Sequence, residues 1–151
     1  QAHLWLAGSG PEEDRLRRQA ERLALTSRVR FLGWREDVPA LLRTADILVC
    51  PSRHEPLGNG VIEALAHGLP VVAAAAVGPA ALIRDGENGL LVPIEEPKAL
   101  AAALARLIAA PDLRQRVQAA GRAAYAAEFT EAAVVGRYLD FFRQVLGPCA
   151  A

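Results

Sequence analysis

The stretch that decides the fold is Pro51-Ser52-Arg53-His54-Glu55-Pro56-Leu57-Gly58-Asn59-Gly60-Val61-Ile62-Glu63-Ala64-Leu65-Ala66-His67-Gly68-Leu69-Pro70. An apolar run, Asp46-Ile47-Leu48-Val49-Cys50, precedes it and reads as a buried strand; a second, Val71-Val72-Ala73-Ala74, follows it. Strand, glycine-rich turn, short helix and strand make one βαβ unit. The helix start in such a unit turns unpaired N–H groups and a partial positive charge towards whatever lies above the sheet. Glu55 and Glu63 stand on either side of the turn, with residues 56–62 between them. A phosphate-bearing ligand with hydroxyls on both sides fits this arrangement.

Working outward, residues 2–7 are apolar enough for a buried strand, and Gly8-Ser9-Gly10-Pro11 makes a tight turn after it. Residues 12–25 place Leu16, Ala20, Leu23 and Ala24 at helical spacing, with acids first and arginines after. Val29-Arg30-Phe31-Leu32-Gly33 predicts a short strand, and Asp37 a cap for a small helix carrying Val38, Leu41, Leu42 and Ala45. Beyond the central unit, Gly78-Pro79 starts a short helical piece, Asp85-Gly86-Glu87-Asn88-Gly89 is a turn, and Leu90-Leu91-Val92 a brief strand. Helices are expected over 98–109, 113–128 and, behind the cap Thr130, 131–146, with 148–151 a frayed tail. Strands alternating with helices imply an α/β, Rossmann-like parallel sheet covered on both faces, with ligands beyond the carboxyl ends of the strands. The turns at 8–11, 33–37, 51–60 and 74–79 are expected to open there. Residues 1–147 read as one domain that starts abruptly on a strand, so a fragment lacking its first βα unit is the expectation.

Composition narrows the class. A chain of 151 residues, 52% hydrophobic and 23% charged, has the makeup of a soluble globular domain with a real core. No run approaches the roughly 18–20 apolar residues of a membrane span, and no signal peptide is visible at the start. A formal net charge of zero argues against nucleic acid as the partner. Cys50 and Cys149 lack metal-spaced companions and read as free thiols in a reducing compartment, which places the protein in the cytoplasm. Sixteen of the seventeen basic residues are arginine, a bias with no functional message.

Each motif has an ordinary reading beside the functional one. Gly8-x-Gly10 looks like the start of a dinucleotide fingerprint, but Asp14 and Arg15 occupy the region of the third glycine. It reads better as a close-approach turn that touches a ligand through backbone N–H groups. Gly58-Asn59-Gly60 can present the N–H groups of Asn59, Gly60 and Val61 to phosphate oxygens, or can simply satisfy the dihedral demands of a turn. Glu63 can meet a ribose diol about one helical turn in, or reach back to cap its own helix. Glu55 can reach sugar hydroxyls or stand as a solvated loop acid. Arg53 faces either a diphosphate or water, His54 is a weak signal, and His67 suits the helix C-terminus beside Gly68.

Taken together, residues 51–58 and 63–73 resemble the Glu–seven residues–Glu motif of the retaining glycosyltransferases of family 4, group 1. Leu6-Ala7-Gly8-Ser9-Gly10-Pro11, Val29 to Gly33, Gly86-Glu87-Asn88-Gly89-Leu90-Leu91-Val92 and the closing helices extend the resemblance over residues 2–146. It implies the C-terminal, donor-binding half of a two-domain GT-B enzyme that transfers sugar from a nucleotide-diphosphate donor with retention, without a metal or other cofactor. It implies a donor-binding set of Gly8, Gly10, Arg30, Phe31, His54, Glu55, Pro56, Leu57, Gly58, Asn59, Gly60 and Glu63, with Glu55 the candidate catalytic residue. Within that set Gly58 and Asn59 donate to the diphosphate and Glu63 holds the ribose. The family's phosphate-neutralising Arg and Lys fall just before the first strand of this chain, and Ala81 stands where the family commonly has Glu. The implied partners are the sugar-nucleotide donor and a separate N-terminal acceptor-binding domain, to which any association with the inner face of a bacterial membrane would belong. The isolated chain is expected to have little or no transferase activity. Two rivals remain at this stage: a non-catalytic module that keeps the fold, and a flavodoxin-like or nicotinamide-binding protein that would hold its ligand at Gly8–Gly10.

Overall fold

The computed structural model describes residues 2–147. In chain order the elements are β1 (Leu4–Ala7), α1 (Glu13–Arg22), β2 (Val29–Gly33), α2 (Val38–Thr44), β3 (Leu48–Cys50), α3 (Asn59–Ala66), β4 (Val71–Ala74), α4 (Val77–Leu82), β5 (Leu90–Val92), α5 (Pro97–Ala109), α6 (Pro111–Glu128) and α7 (Glu131–Leu146). The alternation and the parallel pairing are as expected, but the single sheet is not: β1 pairs with β2, and β3-β4-β5 form a separate parallel sheet. The chain falls into two compact units, Gln1–Val38 and Pro39–Ala151. The tail 148–151, with Cys149, lies outside the described residues.

In the first unit Leu4, Trp5 and Leu6 pair with Val29, Arg30 and Phe31. The expectation of a buried β1 fails, since Leu4 is 44% and Trp5 39% exposed. Within this unit β1 has one strand neighbour and one helix to cover it, and side chains alternate between the two faces of a strand. Helix α1 stops short of the predicted Leu25. The N–H of Leu25 donates to Ala20 O (2.8 Å) and that of Ala24 to Glu21 O (2.9 Å), closing a Schellman turn. Ala24 sits at φ 52°, a left-handed conformation that glycine takes more readily. Asp37 precedes α2 as predicted, but its carboxylate accepts two hydrogen bonds from Arg35, at 2.7 and 2.6 Å.

In the second unit β4 is the central strand, and Val71, Val72 and Ala73 are fully buried. The flanking β3, expected buried, is half-buried because it is an edge strand. Val72, Leu90, Leu107, Leu113 and Val117 form the core, with Ile47, Leu100 and Leu104 packed against them. Each such side chain contributes about 1.5–3 kcal/mol by leaving water. Helices α5 and α6 begin on Pro97 and Pro111, where the missing N–H costs nothing, and Ala133 N–H donates to the predicted cap Thr130 (3.3 Å). Helix α6 packs on α3 at Gly121, where a Cβ would lie 2.7 Å from Leu65 Cδ2. Helix α7 buries none of its side chains, and Tyr138, Phe141 and Phe142 stand exposed on it, the rings of Tyr138 and Phe142 6.4 Å apart.

Candidate functional site

The loop between β3 and α3, together with α3 itself, carries most of the candidate residues. Gly58 is the N-cap of α3 and is left-handed at φ 77°. Its carbonyl accepts from Val61 N–H (2.9 Å) and Ile62 N–H (3.1 Å), so Val61, expected to serve a phosphate, is committed to the tight first turn of its own helix. Gly58 N–H donates to Glu55 Oε1 at 2.9 Å, which engages the donor assigned to the diphosphate by resemblance. The physical reason is local: an orphan N–H at a helix start, within reach of a carboxylate three residues before it, is satisfied by that carboxylate. The N–H groups of Asn59 and Gly60 have no protein acceptor among the described residues.

Glu63 is exposed on α3, and among the described residues its carboxylate has no hydrogen-bond or ion-pair partner. With Gly58 as N-cap it stands too deep in the helix to reach back as a capping-box acid, so that ordinary reading is overturned. His67 behaves as a helix-end residue, its Nδ1 2.8 Å from Glu63 O. Gly68 N–H donates to Leu65 O and Leu69 N–H to Ala64 O, a Schellman turn with Gly68 left-handed at φ 64°. Arg53 pairs with Glu95 at 3.0 Å on the surface. His54, Pro56 and Leu57 are exposed, Leu57 by 67%. Cys50 is a half-buried free thiol 3.8 Å from Ser52 Oγ.

One residue of this site was not singled out from the sequence. Gly78, read only as a helix start, donates its N–H to Glu55 O at 2.7 Å and packs directly on the 55–58 backbone. The available signal was its place, a glycine followed by proline just past the carboxyl end of a fully buried strand.

The remaining candidates belong to the first unit. Gly8, at φ 126°, donates its N–H to Gly33 O (2.7 Å), while the N–H groups of Ser9 and Gly10 have no protein acceptor among the described residues. Arg30 and Phe31 are neighbours on β2 and so face opposite sides of it. The Phe31 ring lies under the Arg17 guanidinium, 4.3 Å from its centroid, whereas Arg30 is exposed. The hydrogen bonds from Arg35 hold the Asp37 carboxyl below the usual carboxylate range and raise Arg35 in turn. Among the described residues no group of three or more His, Cys, Asp or Glu is placed to hold a metal ion, and no helix is long and apolar enough to cross a membrane.

The β3–α3–β4 unit thus has an open helix start, with a carboxylate before it and another along it. The chain belongs to the group 1 glycosyl transferases, whose family model matches residues 1–110. It is 40% identical over 138 residues to the lipopolysaccharide core biosynthesis glycosyltransferase LpsE of Rhizobium meliloti (strain 1021), covering 91% of this chain and 41% of that protein. The crystal structure of Anabaena Alr3699/HepE in complex with UDP matches with a TM-score of 0.88 at 30% identity, over 95% of this chain and 41% of that one. The same protein in complex with UDP-glucose matches with a TM-score of 0.86 at 28% identity, again over 95% and 41%. The α/β fold class implied by the GT-B resemblance therefore holds. The chain spans about two fifths of the length of these relatives.

Proposed function

We propose that this chain is the donor-binding part of a retaining glycosyltransferase and that its second unit holds a nucleotide-diphosphate sugar at the start of α3. The observation that carries the reading is the pair of N–H groups on Asn59 and Gly60 that have no protein acceptor among the described residues, with Glu55 before them and, beyond, the Glu63 carboxylate, likewise without a partner there. Such N–H groups stabilise a departing diphosphate as its negative charge develops, and they need no reorganisation to do so. Glu63 accepts hydrogen bonds from the ribose diol. Glu55 accepts them from the donor sugar and fixes its orientation for transfer. The UDP and UDP-glucose bound to the HepE neighbour support this class of ligand. Transfer is metal-independent in this reading, the backbone donors and the family's two cations taking the place of a divalent ion.

Calorimetric titration of the chain with UDP, GDP and ADP tests the reading. At least one nucleotide binds, and Glu63→Ala weakens it by about tenfold, the worth of a hydrogen bond to a charged group. Absence of binding at millimolar nucleotide would sink the donor-site reading and favour a non-catalytic module. The 151 residues alone show little or no transfer from a radiolabelled donor; brisk turnover would refute that part.

A further inference from the structure

In the donor-site reading Glu55 meets the donor sugar, and its position is decided at the start of α4. Gly78 is buried at the start of α4, and its N–H holds the Glu55 carbonyl at 2.7 Å. A Cβ on Gly78 would lie 2.6 Å from the Leu57 carbonyl carbon, 2.7 Å from Gly58 N and 2.8 Å from Glu55 O. All three are backbone atoms, so no change of rotamer makes room. Behind Gly58, Leu82 Cδ1 closes the same contact, 2.9 Å from where a Gly58 Cβ would stand. The 55–58 loop therefore rests directly on the backbone of α4, and that support brings Gly58 N–H to the Glu55 carboxylate at 2.9 Å.

We infer that Gly78 is a positioning residue for Glu55 and thereby sets the preference of the site for a nucleotide-sugar over the bare nucleotide. The inference rests on the donor-site reading above. Any side chain at position 78 pushes residues 55–58 away from α4 and shifts the carboxylate by more than the roughly 0.5 Å that a binding constellation tolerates. The Gly60 N–H and the Glu63 carboxylate lie beyond the crowded 55–58 segment, on α3 itself, and keep their geometry. The sugar-dependent part of binding is lost and the nucleotide-dependent part stays.

The test is calorimetric titration of the chain with UDP and, separately, UDP-glucose. The wild type binds UDP-glucose more tightly than UDP. Gly78→Ala binds UDP like the wild type but forfeits the gain from glucose, about tenfold. Glu55→Ala does the same, and the double variant is no worse than Glu55→Ala alone. Gly121→Ala, which crowds Leu65 Cδ2 at the α3–α6 contact, lowers stability yet keeps the gain. Leu82→Ala adds no atoms and loosens the loop from the other side, so it loses part of the gain even if Gly78→Ala does not fold.

Parallel weakening of UDP and UDP-glucose in Gly78→Ala, or additivity with Glu55→Ala, overturns the inference and leaves a packing role. Full retention of the gain in Gly78→Ala or Leu82→Ala overturns it too. A wild type that binds UDP and UDP-glucose equally overturns it while the nucleotide site stands. A wild type that binds neither overturns the inference, and the donor-site reading falls with it if GDP and ADP also fail to bind.

Discussion

In the turn after β1, a Cβ built on Gly8 or Gly10 would meet nothing within 4 Å; in the turn after β3, one built on Gly58 would meet Leu82 Cδ1 at 2.9 Å. Both turns read Gly-x-Gly, and both follow a strand and precede a helix. In the first, glycine serves the backbone alone, at φ 126° for Gly8. In the second, Gly58 serves both dihedral and packing, while Gly60 faces open space as Gly10 does. A glycine pattern thus marks two different physical demands, and only the surroundings of each Cα separate them.

The largest expected effect is on the packed side of this contrast. Gly58→Ala adds a left-handed strain to a crowding of Leu82 Cδ1 that a rotamer change relieves in part, and costs about 2–3 kcal/mol, read as a lowered midpoint in urea unfolding. Gly8→Ala carries strain without a clash and costs about 1–2 kcal/mol in the same measurement. Equal losses in the two variants would erase the distinction between them.

A smaller effect compares two helix ends of one design. Gly68 and Ala24 occupy the same left-handed place in their Schellman turns, at φ 64° and 52°. Ala24→Gly removes the Cβ strain at the end of α1 and raises stability by about 0.5–1 kcal/mol, net of the freedom glycine gains in the unfolded chain. No gain would mean that the surrounding turn already accommodates the alanine.

The smallest effect concerns Asp37. Its folded carboxyl is held low by the hydrogen bonds from Arg35, so its contribution to stability is present above the unfolded value and fades as pH falls through the folded one. The pair is exposed, so the contribution is slight. Chemical-shift titration of Asp37 should show its midpoint rise in Arg35→Ala; an unmoved midpoint would rule the pairing out in solution.

The legible parts of this protein were those written in local chemistry. Thr130 announces a helix start because its effect depends on the adjacent turn alone, and Gly68 marks a stop, whereas α5 and α6 begin on Pro97 and Pro111, one and two residues before the starts expected at 98 and 113. The run Val71 to Ala74 is buried because nothing polar interrupts it. What stayed hidden was set by partners distant in sequence or by an unexpected local choice. Trp5 and Leu4 look like core but have one strand beside them, and Ala24 closes a helix where a glycine would have signalled the end. Of the candidate site, Glu55, Glu63 and the glycine turn could be read from spacing. The support from Gly78 could not, because it appears only where the 55–58 loop meets the start of α4, and neither could the engagement of Gly58 N–H by Glu55.

Helix α7 bears on how this chain behaves in a tube. It turns Tyr138, Phe141 and Phe142 to solvent on a polypeptide whose formal charges cancel at pH 7. Sticky rings without electrostatic repulsion make for poor colloidal behaviour, worst in the neutral buffers that a binding measurement would ordinarily use. Alkaline buffer, or an aspartate in place of Phe141, restores repulsion between molecules at no cost to the core, since α7 contributes no buried side chain.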